Sequence, residues 1–161
     1  METKLKSVNY QKIISSLNNS FISEEKITPS KIYRIVVTAL SAIPYYHWTG
    51  IYLLDENKQE LNLDNYEGAE TEHTVIPVGT GVCGSAVEDK SDKIIQDVRE
   101  ESNYLACSLG TRSEIVVLIE DENKILGQID IDSDEVGAFD EVDQEYLRQI
   151  SKMIVKKLRT L

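Results

Sequence analysis

Two apolar segments separated by a three-residue polar turn constrain the fold of this chain more strongly than any other part of its sequence. The segments cover residues 113–120 and 124–132, and Asp121, Glu122 and Asn123 lie between them. Runs of β-branched and other apolar residues on both sides of a short polar turn are typical of an antiparallel hairpin. The sequence therefore predicts an antiparallel sheet that contains this hairpin.

The remaining periodic segments predict further strands and several helices. Thr28 is a good N-cap, and Pro29 suits the first position of the helix that follows it. Strand patterns cover residues 48–54, 60–66, 74–78 and 93–96, and helical patterns cover residues 9–17, 29–43, 82–88 and 140–161. This order predicts an α+β fold, with a central antiparallel sheet of about six strands, and with the N- and C-terminal helices packed on one face.

The length and charge of the chain exclude several classes of protein. Its 161 residues are the size of one domain, with N-terminal helices at about 8–43, a sheet and pocket at about 47–133 and a C-terminal helix at about 140–160. The net charge of −11 argues against a nucleic-acid partner, which needs clustered Lys and Arg. No apolar run approaches the roughly 20 residues that cross a membrane, and no signal-peptide pattern is present, so we expect a cytoplasmic protein.

The two cysteines, Cys83 and Cys107, are too few for a disulfide scaffold, and two histidines do not complete a zinc ligand set. We therefore expect no metal and no other cofactor. Cys83 follows a glycine-rich turn at the predicted start of a helix, where free N–H groups stabilise a thiolate, but it can equally be a small buried residue. Cys107 lies in a long loop, residues 97–112, and loops of this length inside a domain are often functional. It is either a mobile thiol that can approach a second sulfur or a cysteine without a partner.

Three carboxylates and two aromatic residues form a second group of candidates. Asp130 and Asp132 are two residues apart on a predicted strand and share a face, and Glu114 opens the partner strand. This face is either solvated or the wall of a pocket, where like charges would raise a pKa and attract an ammonium group. Trp48 and Tyr52 also share one face of a predicted strand. They are either aromatic residues of the core or the wall of a ligand site.

Six segments carry a pattern that is more specific than any single motif. They are HWTGIYLL (47–54), IPVGTGVCG (76–84), YLACS (104–108), SEIVVLI (113–119), ILGQIDIDS (125–133) and FDEVDQEYL (139–147). In this order they resemble the free methionine-(R)-sulfoxide reductases, which are single GAF domains. The resemblance extends from about Tyr45 to the C-terminus, and the spacing of 24 residues between Cys83 and Cys107 also matches.

This resemblance implies a fold, a reaction and a role for each candidate residue. The reaction is reduction of the free amino acid sulfoxide to methionine, with thioredoxin or another dithiol as the external reductant. The enzyme would pass through a cysteine sulfenic acid and a disulfide, and it would be a homodimer. The implied roles are Cys107 as nucleophile, Cys83 as its disulfide partner, Trp48 and Tyr52 as aromatic walls, and Glu114, Asp130 and Asp132 as the acidic cluster.

The chain departs from the family pattern at three positions. His73 stands where many members carry a third cysteine, so Cys83 or an external thiol must resolve the sulfenic acid. Tyr104 and Ser108 stand where the family usually has His and Asp around the loop cysteine. These changes leave open which thiol attacks and which resolves. Two other functions stay open as well: a GAF module that senses a small molecule such as an amino acid or nucleotide, and a structural dimerisation domain.

Overall fold

The computed structural model describes residues 3–104 and 109–161. Its helices are α1 (Thr3–Ser23), α2 (Pro29–Leu40), α3 (Gly81–Asp89) and α4 (Glu141–Leu158). Its strands are β1 (Trp48–Asp55), β2 (Glu60–Glu67), β3 (Val75–Pro77), β4 (Lys93–Ile95), β5 (Ser113–Asp121) and β6 (Lys124–Ser133). One turn of 3-10 helix, Val98–Glu100, lies in the segment that the sequence pattern assigned to a loop.

The six strands form one antiparallel sheet in the order β3-β2-β1-β6-β5-β4. The predicted hairpin of β5 and β6 and the hairpin of β1 and β2 are both present, and they meet where β1 pairs with β6. Three-residue strands form the two edges of the sheet. The predicted α+β fold with six antiparallel strands is thus confirmed.

One face of the sheet carries the main hydrophobic core. Alternate residues of the three central strands point to this face and pack against α1, α2 and α4, as predicted for the terminal helices. They include Ile51, Ile115, Val117, Ile129 and Ile131, each fully buried. Burial of each such side chain stabilises the fold by about 1.5–3 kcal/mol, so this layer holds the strands in one register.

The helix ends follow local capping rules. The Thr28 hydroxyl accepts a hydrogen bond from the backbone N–H of Lys31, and Pro29 opens α2. At the start of α4, the Asp140 carboxylate accepts from the N–H of Asp143, and the Asp143 carboxylate accepts from the N–H of Asp140. This reciprocal capping box sets where α4 begins.

A buried ionic network ties the N-terminal turns of α1 to α4, and α1 extends beyond the predicted residues 9–17 at both ends. The Lys6 ammonium is 2.6 Å from the Asp143 carboxylate and 3.1 Å from that of Asp140. The hydroxyls of Tyr10 and Tyr45 donate to the other Asp143 oxygen at 2.7 and 2.5 Å. Lys6 lies four residues before Tyr10 on the buried face of α1, but a charged residue does not count as apolar, so the apolar pattern did not include the first turns of the helix.

The described helices contain none that is both long and apolar enough to cross a membrane. That residues 1–161 form one domain stays a prediction.

Candidate active site

The second face of the sheet collects the three predicted carboxylates. Asp132 of the central strand β6 lies between Glu114 of β5 and Trp48 of β1, and Asp130 lies opposite Gly50 of β1. Since alternate residues share a face, the acidic side chains leave the sheet on the side away from the main core. All three are 0–1% exposed. This burial excludes a solvated polar face.

Burial and mutual repulsion change the protonation of this cluster. The pKa of Glu114 is raised well above its ordinary value, first because the carboxyl is buried and then because Asp130 and Asp132 are close to it. The Thr111 hydroxyl donates to Asp132 Oδ2 at 3.2 Å. The site therefore holds a carboxyl group that keeps a proton at a higher pH than a free glutamate does.

Cys83 is the third residue of α3, and α3 covers the acidic face. Gly79 and Gly81 before it have φ values of 91° and 64°, which side-chain-bearing residues rarely adopt, so the sharp entry into the helix depends on these glycines. Val82, Ala86 and Val87 pack α3 against Val116 and Leu118 of β5. The Cys83 thiol then donates to Glu114 Oε1 at 3.7 Å, and its side chain is 4% exposed. Cys83 is thus both buried and part of the acidic cluster.

The two predicted aromatic residues flank the carboxylates. The Trp48 indole N–H donates to the Ala69 carbonyl at 3.1 Å, and its ring stacks on Tyr66 with centroids 5.5 Å apart. The Tyr52 hydroxyl donates to the carbonyl of His73 at 2.7 Å, so position 73 also borders the site. Both side chains are at most 1% exposed, and they belong to the same apolar cluster as Cys83.

Gly50 and Tyr66 contribute to this aromatic wall although the sequence patterns did not identify them. The Trp48 ring lies directly over Gly50, where an added Cβ would be 2.4 Å from Trp48 Cη2. Any larger residue at position 50 would move the indole. The signal was visible in the sequence, because Gly50 is the only glycine between two aromatic residues of a predicted strand.

Asn103 and Thr111 hold the two ends of the loop that carries Cys107. The Asn103 amide N–H donates to the Ser85 hydroxyl at 2.8 Å, and its carbonyl accepts from the N–H of Gly81 at 3.0 Å, so this residue is fixed to the start of α3. Thr111 is fixed to Asp132. Cys107 itself lies outside the described residues. Loop polar residues of this kind have no periodicity, so sequence patterns missed both.

Gln128 is a further residue that sequence analysis missed. It lies on β6 opposite Tyr52 and Leu118, on the same face as the carboxylates, and is fully buried. Within residues 3–104 and 109–161, neither its amide nitrogen nor its amide oxygen has a hydrogen-bond partner. A buried amide without partners is costly, so position 128 is destabilising unless a ligand or water meets it.

A cleft of about 500 Å³ between α4 and β5 contains none of the site residues that the sequence predicted. It is lined in part by Lys90, Asp92, Arg148 and Lys152. Asp92 already accepts from Arg148 at 2.6 Å and from the amide of Gln144 at 3.0 Å. Because Arg148 and Gln144 already pair with Asp92, and because no thiol of the described residues lines this cleft, it is not the candidate site.

Comparisons with known proteins agree with this geometry. Residues 26–154 match the family model described as GAF domain. The chain is 38% identical over 119 residues to GAF domain-containing protein A of Dictyostelium discoideum, which covers 74% of each chain. It is 38% identical over 114 residues to the free methionine-R-sulfoxide reductase of Escherichia coli, covering 71% of this chain and 67% of the relative.

A solved structure extends the similarity to nearly the whole chain. The free methionine-R-sulfoxide reductase of Neisseria meningitidis, determined in complex with its substrate, superposes with a TM-score of 0.86 at 29% identity. The superposition covers 93% of this chain and 88% of that one.

Proposed function

Because this chain belongs to the free methionine-(R)-sulfoxide reductase family of GAF domains, we propose that it reduces free L-methionine-(R)-sulfoxide to L-methionine by thiol chemistry. The observation that carries the proposal is the contact of 3.7 Å between Cys83 Sγ and Glu114 Oε1 within a buried acidic cluster. This contact places one of the two thiols of the cycle next to carboxyl groups that can supply the proton that sulfoxide reduction consumes.

The acidic cluster selects the free amino acid. A free methionine sulfoxide carries an ammonium group that the same residue within a peptide lacks. Glu114, Asp130 and Asp132 offer buried carboxyl oxygens to this cation, and the contact is strong in a site without bulk water. Trp48 and Tyr52 border the cluster and would pack against the methyl and sulfur groups. We therefore expect poor activity on peptide-bound substrate.

In the proposed reaction, the Cys107 thiolate attacks the substrate sulfur. The sulfur–oxygen bond breaks, the oxygen passes to Cys107 with a proton from the acidic cluster, and methionine leaves with its sulfur reduced by two electrons. Cys107 is then a sulfenic acid. The raised pKa of Glu114 makes it the carboxyl group best suited to hold that proton.

Cys83 completes the cycle. Its thiol attacks the sulfenic sulfur of Cys107, a disulfide forms, and the oxygen leaves as water. A dithiol such as thioredoxin then reduces the disulfide and becomes oxidised itself. The anchors of Asn103 on α3 and of Thr111 on Asp132 support this pairing, since both flanks of the Cys107 loop are held at the site of Cys83. No additional cofactor is needed.

The test is a thioredoxin-coupled assay with free R, free S and peptide-bound sulfoxides. We expect turnover of the free R form alone. Cys107→Ser should abolish reduction, and Cys83→Ser should stop after one turnover unless a small thiol is added. Asp132→Asn should lower kcat/KM at least about tenfold. Glu120→Gln removes an exposed carboxylate from the same hairpin and is the matched control.

Two outcomes would contradict the proposal. Undiminished cycling by the double variant Cys83→Ser and Cys107→Ser would refute the thiol mechanism. Binding of an amino acid without reduction of any sulfoxide would favour a sensor.

We also propose that the chain forms a homodimer. We expect it in a reducing compartment such as the cytoplasm, since the cycle depends on a reduced dithiol. Sedimentation of the purified chain tests the oligomeric state, and a monomer at assay concentration would contradict it.

A further inference from the structure

The Cys83 thiol and two carboxylates converge in a way that a substrate site alone does not require. Cys83, Glu114 and Asp130 each offer one ligand atom, and the three atoms lie within 4.8 Å of one another. All three side chains are at most 4% exposed. The arrangement differs from an acidic patch, because a thiol is part of it and because no member is on the surface.

The spacing of these atoms fits a tetrahedral metal ion. Zinc binds sulfur at about 2.3 Å and carboxylate oxygen at about 2.0 Å, which gives a sulfur–oxygen distance of about 3.5 Å across a tetrahedral angle. Cys83 Sγ and Glu114 Oε1 are 3.7 Å apart. An ion that replaces the thiol proton between these two atoms needs a shift of only a few tenths of an ångström.

The second oxygen of Glu114 also points to a missing cation. Glu114 Oε2 is buried and accepts no hydrogen bond from an N–H or hydroxyl group within the described part of the chain, and the Asp130 carboxyl is its close neighbour. A carboxylate oxygen can only accept, so a cation or a proton must meet it. Asp132 is opposite Glu114 on the neighbouring strand and adds to the negative charge around it.

We propose that Cys83, Glu114 and Asp130 bind a thiophilic divalent cation, Zn²⁺ in the first instance, and that the ion and the substrate compete for the same carboxylates. One thiolate with two carboxylates suits Zn²⁺ or Cd²⁺, whereas Mg²⁺ and Ca²⁺ require oxygen ligands alone. Three protein ligands leave a fourth position for water.

Metal binding at this site depends on the oxidation state of Cys83. The ion replaces the thiol proton, which is released to solvent, and a Cys83 disulfide has no thiolate to offer. Only the reduced chain therefore binds. The competition with substrate, but not the binding itself, rests on the proposed function. Zn²⁺ would act as an inhibitor that holds Cys83 in its reduced form.

The experiment titrates the reduced, oxygen-free protein with Cd²⁺ and with Zn²⁺ in the absence of substrate. Cadmium–thiolate bonds give an ultraviolet charge-transfer band, and calorimetry gives the affinity for Zn²⁺. We expect one ion per chain, loss of the band in Cys83→Ser, and an affinity lowered at least about tenfold in Glu114→Gln. Cys107→Ser and the exposed control Glu120→Gln should retain the band and bind within about twofold of the unmodified chain, and Mg²⁺ should not compete.

A band that persists in Cys83→Ser, disappears in Cys107→Ser, or is indifferent to Glu114→Gln would overturn the assignment. Circular dichroism of each variant distinguishes a lost site from a lost fold. A chain that binds Zn²⁺ but reduces no sulfoxide would refute the proposed function and still support the cation site.

Discussion

Lys6 is the residue whose removal should test the energetics of the fold most directly. It is 2% exposed, and its ammonium contacts Asp143 at 2.6 Å and the Ala138 carbonyl at 2.8 Å. Lys6→Met keeps the buried stem but leaves Asp143 as a buried charge without its cation. Breaking such a pair costs about 3–5 kcal/mol, and we expect the lower end because Asp143 keeps hydrogen bonds from Tyr10 and Tyr45.

Urea unfolding and thermal melting measure this loss. A loss of about 3 kcal/mol corresponds to a decrease in Tm of roughly 10 °C for a chain of this length. Lys4→Met changes an exposed lysine of the same helix and should alter stability by less than about 0.5 kcal/mol. In an Asp143→Asn background, Lys6→Met should cost about 1 kcal/mol or less, since no buried charge is abandoned. Equal costs for Lys6→Met and Lys4→Met, or equal costs in both backgrounds, would refute the reasoning.

Three other perturbations report on the site. Gly50→Ala should displace the indole of Trp48, the only tryptophan of the chain, so its fluorescence spectrum should shift and kcat/KM should fall; an unchanged spectrum would contradict the close contact. Gln128→Met should raise the free energy of unfolding by about 1 kcal/mol, because a buried amide without partners is removed; a loss of stability in urea unfolding would show that the amide is satisfied. Because the pKa of Glu114 is raised in the fold, its contribution to stability is complete below about pH 4.3 and is lost as pH rises through the folded pKa. Glu114→Gln should remove that part of the pH dependence, and identical pH profiles of the two proteins would refute it.

Sequence patterns predicted most of the sheet because two-residue alternation is local information. The positions of Asp130 and Asp132 on one face, and of Ile129 and Ile131 on the other, follow from the residues of β6 alone. The burial of those carboxylates does not follow, because it depends on α3 covering the face. Alternation is equally typical of a solvated strand.

Long-range polar contacts account for the rest of what sequence patterns missed. Lys6 pairs with a residue 137 positions away, and Asn103 bonds to a turn 22 residues before it. Contacts between residues so far apart in the sequence leave no periodic pattern that sequence analysis could detect. The spacing of Cys83 and Cys107 became informative only through the resemblance to a family, since two cysteines in a chain of this length indicate no function by themselves.

The strand β6 has a consequence for how such a chain can change by insertion or deletion. Between residues 128 and 132, Ile129 and Ile131 pack in the main core, whereas Gln128, Asp130 and Asp132 lie on the face of the acidic site. A single inserted residue would exchange the two sets, so that carboxylates would enter the core and isoleucines would replace them at the thiol. Lineages that lose or gain one residue here would lose fold and chemistry together, whereas the polar turn between β1 and β2 can vary in length without touching either.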